Sequence, residues 1–290
     1  MTETARSTRR RSAVALLLLI APALLVLTPF AWLVAAAFKS KDAFAQWLFF
    51  PPVNEWTSGA LTLENFRELF RPQPSPQGPV TFGRYVFNSL FLASTTTVSQ
   101  LLTSSMAGYA LAVHDFRGRR TIIGFMLASL IVPGMLLVAP VYQLSVTLGL
   151  VDTYAALLIP GCVSTWGVFL FRQAIRSVPM EIVEAARVDG CREVGIYWTV
   201  VMPLLRPIAA AFCLVAFLGS WNAYLGPNVM LHGQHRLPVA VALSYYMAEH
   251  SSQYGVFLAG TLLALIPPAI VFLALQREMI AGLTSGAVKG

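Results

Sequence analysis

The stretch MEIVEAARVDG, residues 180 to 190, gathers Glu181, Glu184, Arg187 and Asp189 in a chain of 290 residues that is 57% hydrophobic and only 11% charged. A cluster of this kind is either a solvated loop or a surface shaped to meet a partner. Other residue types able to do chemistry are sparse. His232 and His235 stand three apart in HGQHRLP, but no carboxylate lies close in sequence, so the pair does not read as a metal site. Trp221 and Asn222 adjoin in SWNAYLGP. An indole face packs on the C–H groups of a sugar and an amide bonds hydroxyls; the same pair can equally serve as glue between helices. Cys162, Cys191 and Cys213 have no CxxC partner and read as small buried residues, not as a disulfide frame or metal ligands.

Several reactive constellations are missing. A phosphate-binding loop of the form GxxxxGK[ST] needs Lys directly after Gly, and Lys39, Lys41 and Lys289 all follow other residues. HExxH and GxSxG are absent as well. No catalytic constellation is visible, so the chain is read as a non-enzyme that binds no cofactor itself. Any chemical energy must come from another chain.

The elements that position these residues are apolar. Six long hydrophobic segments cover about 13–38, 84–112, 120–144, 153–175, 204–227 and 254–276, the signature of membrane-spanning helices. The first is too long for the apolar core of a cleavable signal peptide, roughly 7–15 residues. At about 1.5 Å per residue it extends on the order of 39 Å, enough to span. With the N-terminus inside, most of the 20 Lys and Arg residues fall on the inner face, among them Arg9, Arg10, Arg11, Arg117, Arg119, Arg120, Arg187, Arg192 and Lys289. Lys39, Lys41, Arg67, Arg71, Arg84 and Arg236 remain outside. The net charge of +7 is thus a topology signal, not a nucleic-acid footprint. Both ends and residues 176–206 are expected in the cytoplasm.

Acidic residues avoid the centres of the spans; Asp152 and Glu278 lie at ends. Ion-driven carriers place ionisable groups near mid-membrane, which argues against self-powered transport. In the second span Asn88, Thr95, Ser99 and Thr103 share a helical face, suited to close packing or to lining a polar path. Between the first two spans, TLENFRELF reads as a short helix capped by Thr62.

The charged stretch itself has a helical pattern. Ser177 and Pro179 mark a start, Ile182, Ala185, Ala186 and Asp189 recur at helical spacing, and Gly190 permits a turn. A second short helix at about 192–200 leads to Pro203. The segment resembles the EAA loop of ABC importer permeases, with Glu184, Ala185, Ala186 and Gly190 matching and VVMP, ending at Pro203, matching loosely. YVFNSL, MAGYALA, LGLVDTYAALLIP, SWNAYLGP and the terminal GLTSGAVKG extend the resemblance, over about the whole chain, to the maltose-type carbohydrate importers and their smaller six-span permeases.

That resemblance implies an all-α polytopic membrane protein with about six transmembrane helices and a cytoplasmic EAA coupling loop. The transmembrane domain would cover 13–281, with the loop at 177–203 and cytoplasmic tails at 1–12 and 282–290, in the bacterial inner membrane. It implies a permease subunit of a binding-protein-dependent importer for a sugar, working with a second permease, two ATP-binding cassette subunits that hold ATP and Mg, and an extracytoplasmic solute-binding protein. Glu184, Ala185, Ala186, Arg187, Asp189 and Gly190 would dock the ATPase; Gly286, Ala287, Val288 and Lys289 would reach it from the tail. Trp221, Asn222 and Asn88 are the candidates for the solute path. The alternatives are glycerol phosphate or another polyol as cargo, or an ion-coupled secondary carrier.

Overall fold

The structure, a computed structural model, describes residues 2–249 and 254–287, with side chains described over 18–56, 59–247 and 254–280. Among the described residues every regular element is helical, and extended pairing is confined to two isolated bridges, Lys39 with Leu61 and Gln73 with Val80. The fold is all-α. The chain divides into two compact units, residues 1–71 with 243–263 and residues 72–242 with 264–290.

In the first unit α1 (Thr2–Ala37) presents Leu24, Leu25 and Val26 outward, as a lipid-facing helix does. Its last turn, Ala35 to Ala37, is fully buried. Carbonyls at a buried helix end need donors; Asn65 supplies them, its Nδ2 donating to Ala37 O at 2.8 Å and Lys39 O at 2.9 Å. Lys39 is buried too, its Nζ donating to Trp47 O at 2.6 Å and Leu48 O at 3.2 Å beyond α2 (Lys41–Gln46). The short helix read from TLENFRELF is α3 (Glu64–Phe70); Leu63 and not Thr62 takes the capping position, and Thr62 Oγ1, one residue earlier, accepts from Glu64 N at 3.0 Å.

In the second unit α4 (Phe82–Val113) is the central rod, packed against α8 (Thr165–Arg176) and α10 (Arg206–Trp221). Glycine permits the contact. A Cβ on Gly108 would lie 2.8 Å from Phe171 Cβ and 2.9 Å from the Arg172 backbone nitrogen. Between these elements run α5 (Arg119–Ser129), α6 (Val138–Thr147), α7 (Ala155–Gly161) and α9 (Met180–Val188); α11 (Leu225–Met230) and α12 (Ile266–Ala287) follow α10, and α12 packs on α10.

Three stretches are long and apolar enough to cross a membrane, Leu18–Ala37, Ala155–Arg176 and Tyr254–Ile280, and two bent helix pairs raise the number to as many as five. The rod α4 lies outside that apolar set, yet its 32 residues extend about 48 Å. Two expected spans are not straight. The run 120–144 breaks after Ser129 and turns by 95°, because Pro133 has no N–H and disfavours helix at the residue before it. The run 204–227 bends by 83° between Leu204 and Arg206, and its helix stops at Trp221. The run 153–175 is interrupted between Gly161 and Thr165. Polar side chains of α4 satisfy that interruption: Gln100 Nε2 donates to Gly161 O, Thr103 Oγ1 to Cys162 O and Ser104 Oγ to Ser164 O, at 2.8, 2.8 and 3.2 Å. Part of the polarity of the second span therefore serves a broken neighbour.

The HGQHRLP loop is held by Asp152. This residue has a positive φ of 60°; its Oδ1 accepts from His232 N at 3.0 Å and Gly233 N at 2.9 Å, and its Oδ2 from Arg236 at 2.7 Å. His235 Nε2 meets Gly78 O at 3.0 Å. Partial burial pushes the Asp152 carboxyl up, but the two N–H groups and the Arg236 guanidinium outweigh it and hold the pKa below the ordinary aspartate value. A carboxyl depressed in the folded state contributes stability that is complete above the unfolded pKa, near 4, and is lost as pH falls through the folded value. Amide exchange in residues 230–237 is accordingly expected to accelerate only below about pH 4, and in Asp152→Asn to be fast already at neutral pH.

Candidate functional site

Two features of the second unit carry the functional geometry. The first is the charged loop. Pro179 precedes α9 with φ −56°, the value its ring imposes and one suited to entering a helix. The helix ends in a Schellman motif: Cys191 N donates to Ala186 O at 3.0 Å, Gly190 N to Arg187 O at 3.0 Å, and Gly190 adopts φ +81°. Val183 and Ala186 are buried, against a core that includes Tyr109, Phe171, Ile175, Ile196 and Tyr197. After Glu193 the chain continues helical through a π segment, Ile196–Val201, to Leu204.

This placement sorts the expected docking residues. Glu184, Ala185 and Asp189 are exposed, beside Glu181 and an almost bare Val188, 88% exposed. Ala186 does not share that surface; it faces the chain's own core at 9% exposure. The stripe read from Ile182, Ala185, Ala186 and Asp189 therefore divides, because the buried arc is centred between Val183 and Ala186. Arg187 is engaged internally, its Nε donating to Glu193 Oε1 at 2.7 Å. Glu193 Oε2 also accepts from Tyr109 Oη at 2.8 Å and lies 3.5 Å from His114 Nε2. The bond from Arg187 foremost, with that from Tyr109, outweighs burial and holds the Glu193 carboxyl below its ordinary pKa. Sequence reading missed Glu193: it lies six residues from its partner across a glycine turn, outside any helical period.

The second feature is a cavity of about 430 Å³ among α4, α7, α8, α10 and α11, in the size range of small-molecule sites. Thr96, Gln100, Ser164, Trp166 and Ser220 line it among apolar neighbours, and none of its lining residues is charged. One face of Trp166 stacks on Phe212, ring centroids 5.6 Å apart and planes at 20°, while the residue keeps 43% exposure. The free surface of the indole is thus available to the cavity.

None of the three residues read as path candidates lines this cavity. Asn88 is buried and saturated: Nδ2 donates to His235 O at 2.8 Å and Leu237 O at 3.0 Å, and Oδ1 accepts from Tyr154 Oη at 2.8 Å. Trp221 is buried and stacked on Phe217. Asn222 is exposed at the end of α10. Their neighbours Ser220 and Ala223 take the cavity positions instead. Trp166 was findable in sequence as an aromatic residue beside the polar CVST break within an apolar run. Of the tail, α12 reaches Ala287, but the side chains of Gly286 and Ala287, and Val288 and Lys289 altogether, lie outside the described residues.

Comparison with known proteins agrees with this architecture. Residues 100–279 match the family described as "Binding-protein-dependent transport system inner membrane component". The arabinooligosaccharides transport system permease protein AraQ of Halalkalibacterium halodurans is 38% identical over 230 residues, 79% of this chain and 80% of that protein. The sn-glycerol-3-phosphate transport system permease protein UgpE of Yersinia enterocolitica is 32% identical over 205 residues, 70% of this chain and 73% of that protein. A crystal structure of a bacterial ABC transporter involved in the import of the acidic polysaccharide alginate shares the fold, with TM-score 0.75 at 23% identity over 94% of this chain and 97% of that one.

Proposed function

Because the chain belongs to the family of binding-protein-dependent transport system inner membrane components, we propose that it forms one half of the path of an ATP-driven importer whose cargo is a neutral carbohydrate. On this reading a second permease supplies the other half of the path. An extracytoplasmic binding protein delivers the solute, and two ATPase subunits hold ATP and Mg. The six apolar segments, bent ones included, are the spans. Both termini and residues 177–203 face the cytoplasm, in keeping with the basic bias, and the exposed side of α9 docks one ATPase.

The observation that carries the cargo assignment is the uncharged lining of the cavity, with a free indole face, an amide and three hydroxyls. Relatives handle both oligosaccharides and a glycerol phosphate by their names. Recognition of a phosphate calls for Arg or Lys, and this chain's lining offers neither. A sugar ring instead finds an aromatic face for its C–H side and amide or hydroxyl partners for its rim. The test is Trp166→Ala in the assembled importer in proteoliposomes. The KM for sugar uptake is expected to rise about tenfold, the loss of one stacking contact of roughly 1.4 kcal/mol, with basal ATP hydrolysis kept. An unchanged KM would remove Trp166 from the path. Saturable uptake of glycerol phosphate in preference to sugars would overturn the cargo.

A further inference from the structure

We propose that Glu193 is a positioning residue for energy coupling: it braces the turn at Gly190, fixing α9 to the end of α4 so that a displacement of α9 is delivered to the central rod. The proposal rests on the importer reading above. Its ground is the convergence of three side chains, from the ends of two helices, on one carboxylate. Arg187 comes from the last turn of α9, Tyr109 from the last turns of α4 and His114 from the residue that ends α4, at 2.7, 2.8 and 3.5 Å. Arg187 and Glu193 stand on either side of Gly190, whose positive φ places the only left-handed residue of this loop between them. A single left-handed glycine is a point about which a helix can swing; the ion pair closes that point from outside.

The remaining contacts show what the brace connects. Tyr109 packs edge-on against Tyr197 and His114, at 5.6 and 5.8 Å between ring centroids, and Tyr197 Oη pairs with Ser105 Oγ at 2.7 Å. Two successive turns of α4 are thereby tied to the segment that follows α9. Without Glu193, burial of Val183 and Ala186 still seats α9 on the core, but the side-chain tie from its last turn to the end of α4 is lost. The pair is partly exposed, at 36% for Arg187 and 42% for Glu193. A pair of this exposure contributes little to folding, so its purpose is better sought in geometry than in stability.

A double-mutant cycle on the whole importer tests this. Solute transported per ATP hydrolysed is measured in proteoliposomes for wild type, E193A, R187A and the double variant. Each single variant is expected to assemble and hydrolyse ATP, with the transport ratio down about tenfold. The double variant is expected to fall no further than E193A, because that variant has already lost the contact to Arg187. An unchanged ratio in E193A, or a hundredfold fall in the double variant, would overturn the brace. If E193A fails to assemble, E193Q, which keeps the volume, takes its place in the cycle, and failure of both to assemble would make Glu193 a folding residue and overturn the proposal as well. Absence of ATP-dependent uptake in the wild-type complex would instead sink the importer reading itself.

Discussion

Gly190→Val is expected to abolish most ATP-coupled uptake, by at least tenfold, while the chain still inserts. The residue sits at φ +81°, and a Cβ there would meet nothing within 4 Å. The whole effect therefore comes from the backbone. A residue with a Cβ in the left-handed region costs roughly 1–2 kcal/mol, and a β-branched one more. Valine relieves that cost by leaving the region, which breaks the bonds from Gly190 N to Arg187 O and from Cys191 N to Ala186 O. The end of α9 then unwinds and the docking face loses its register with the spans. Asparagine tolerates the left-handed conformation, so Gly190→Asn is expected to keep most uptake. Measuring uptake and hydrolysis together in both variants separates this mechanism from loss of protein: equal defects in valine and asparagine variants would contradict it.

Gly108→Ala is expected to prevent assembly, or to lower the thermal stability of the complex markedly. The new Cβ would fall 2.8 Å from Phe171 Cβ, 2.9 Å from the Arg172 backbone nitrogen and 3.1 Å from Val168 O. Backbone atoms cannot rotate away, so α4 and α8 must separate. Overpacking of this kind costs typically 1–3 kcal/mol and occasionally more. Gly124→Ala is the control, since nothing lies within 4 Å of a Cβ there and alanine improves helix propensity by about 1 kcal/mol. The yield and melting of the purified complex read the difference; comparable behaviour of the two variants would mean that α4 and α8 do not approach as closely as described.

Helical class, apolar segments and the charged loop were all legible in the sequence because each has a local signature. Prolines, apolar runs and the EAA spacing act over a few residues. What was not legible depends on contacts distant in the chain. The polar face of the second span was read as packing or path; the structure gives Gln100, Thr103 and Ser104 the further task of satisfying carbonyls some 60 residues away. Asn88 likewise serves carbonyls of His235 and Leu237. The residue types of Trp221 and Asn222 suit a sugar, but Ser220, near the end of α10, and Ala223, just beyond it, hold the cavity positions. Ala186 is small enough to suit docking, yet the helix buries it with Val183 because the core below is apolar.

The exposed face of α9 is also the right scale of device. Driving a two-state transporter from 1:99 to 99:1 takes about 5.5 kcal/mol of differential interaction, and an exposed ion pair contributes roughly 0–1 kcal/mol. Glu184 alone cannot carry the stroke. A helix bearing Glu181, Glu184, Ala185 and Val188 outward, seated on the core through Val183 and Ala186, presents a surface large enough to be moved as one body.

The most direct measurement places single cysteines at positions 181, 184, 185 and 188 in a Cys191→Ala background, which removes the exposed native thiol of the loop, and applies a short crosslinker to the assembled complex. The account predicts capture of a nucleotide-hydrolysing subunit from these positions and no labelling by a membrane-impermeant thiol reagent added outside. Labelling from outside, or failure of all four positions to capture such a subunit, would contradict it.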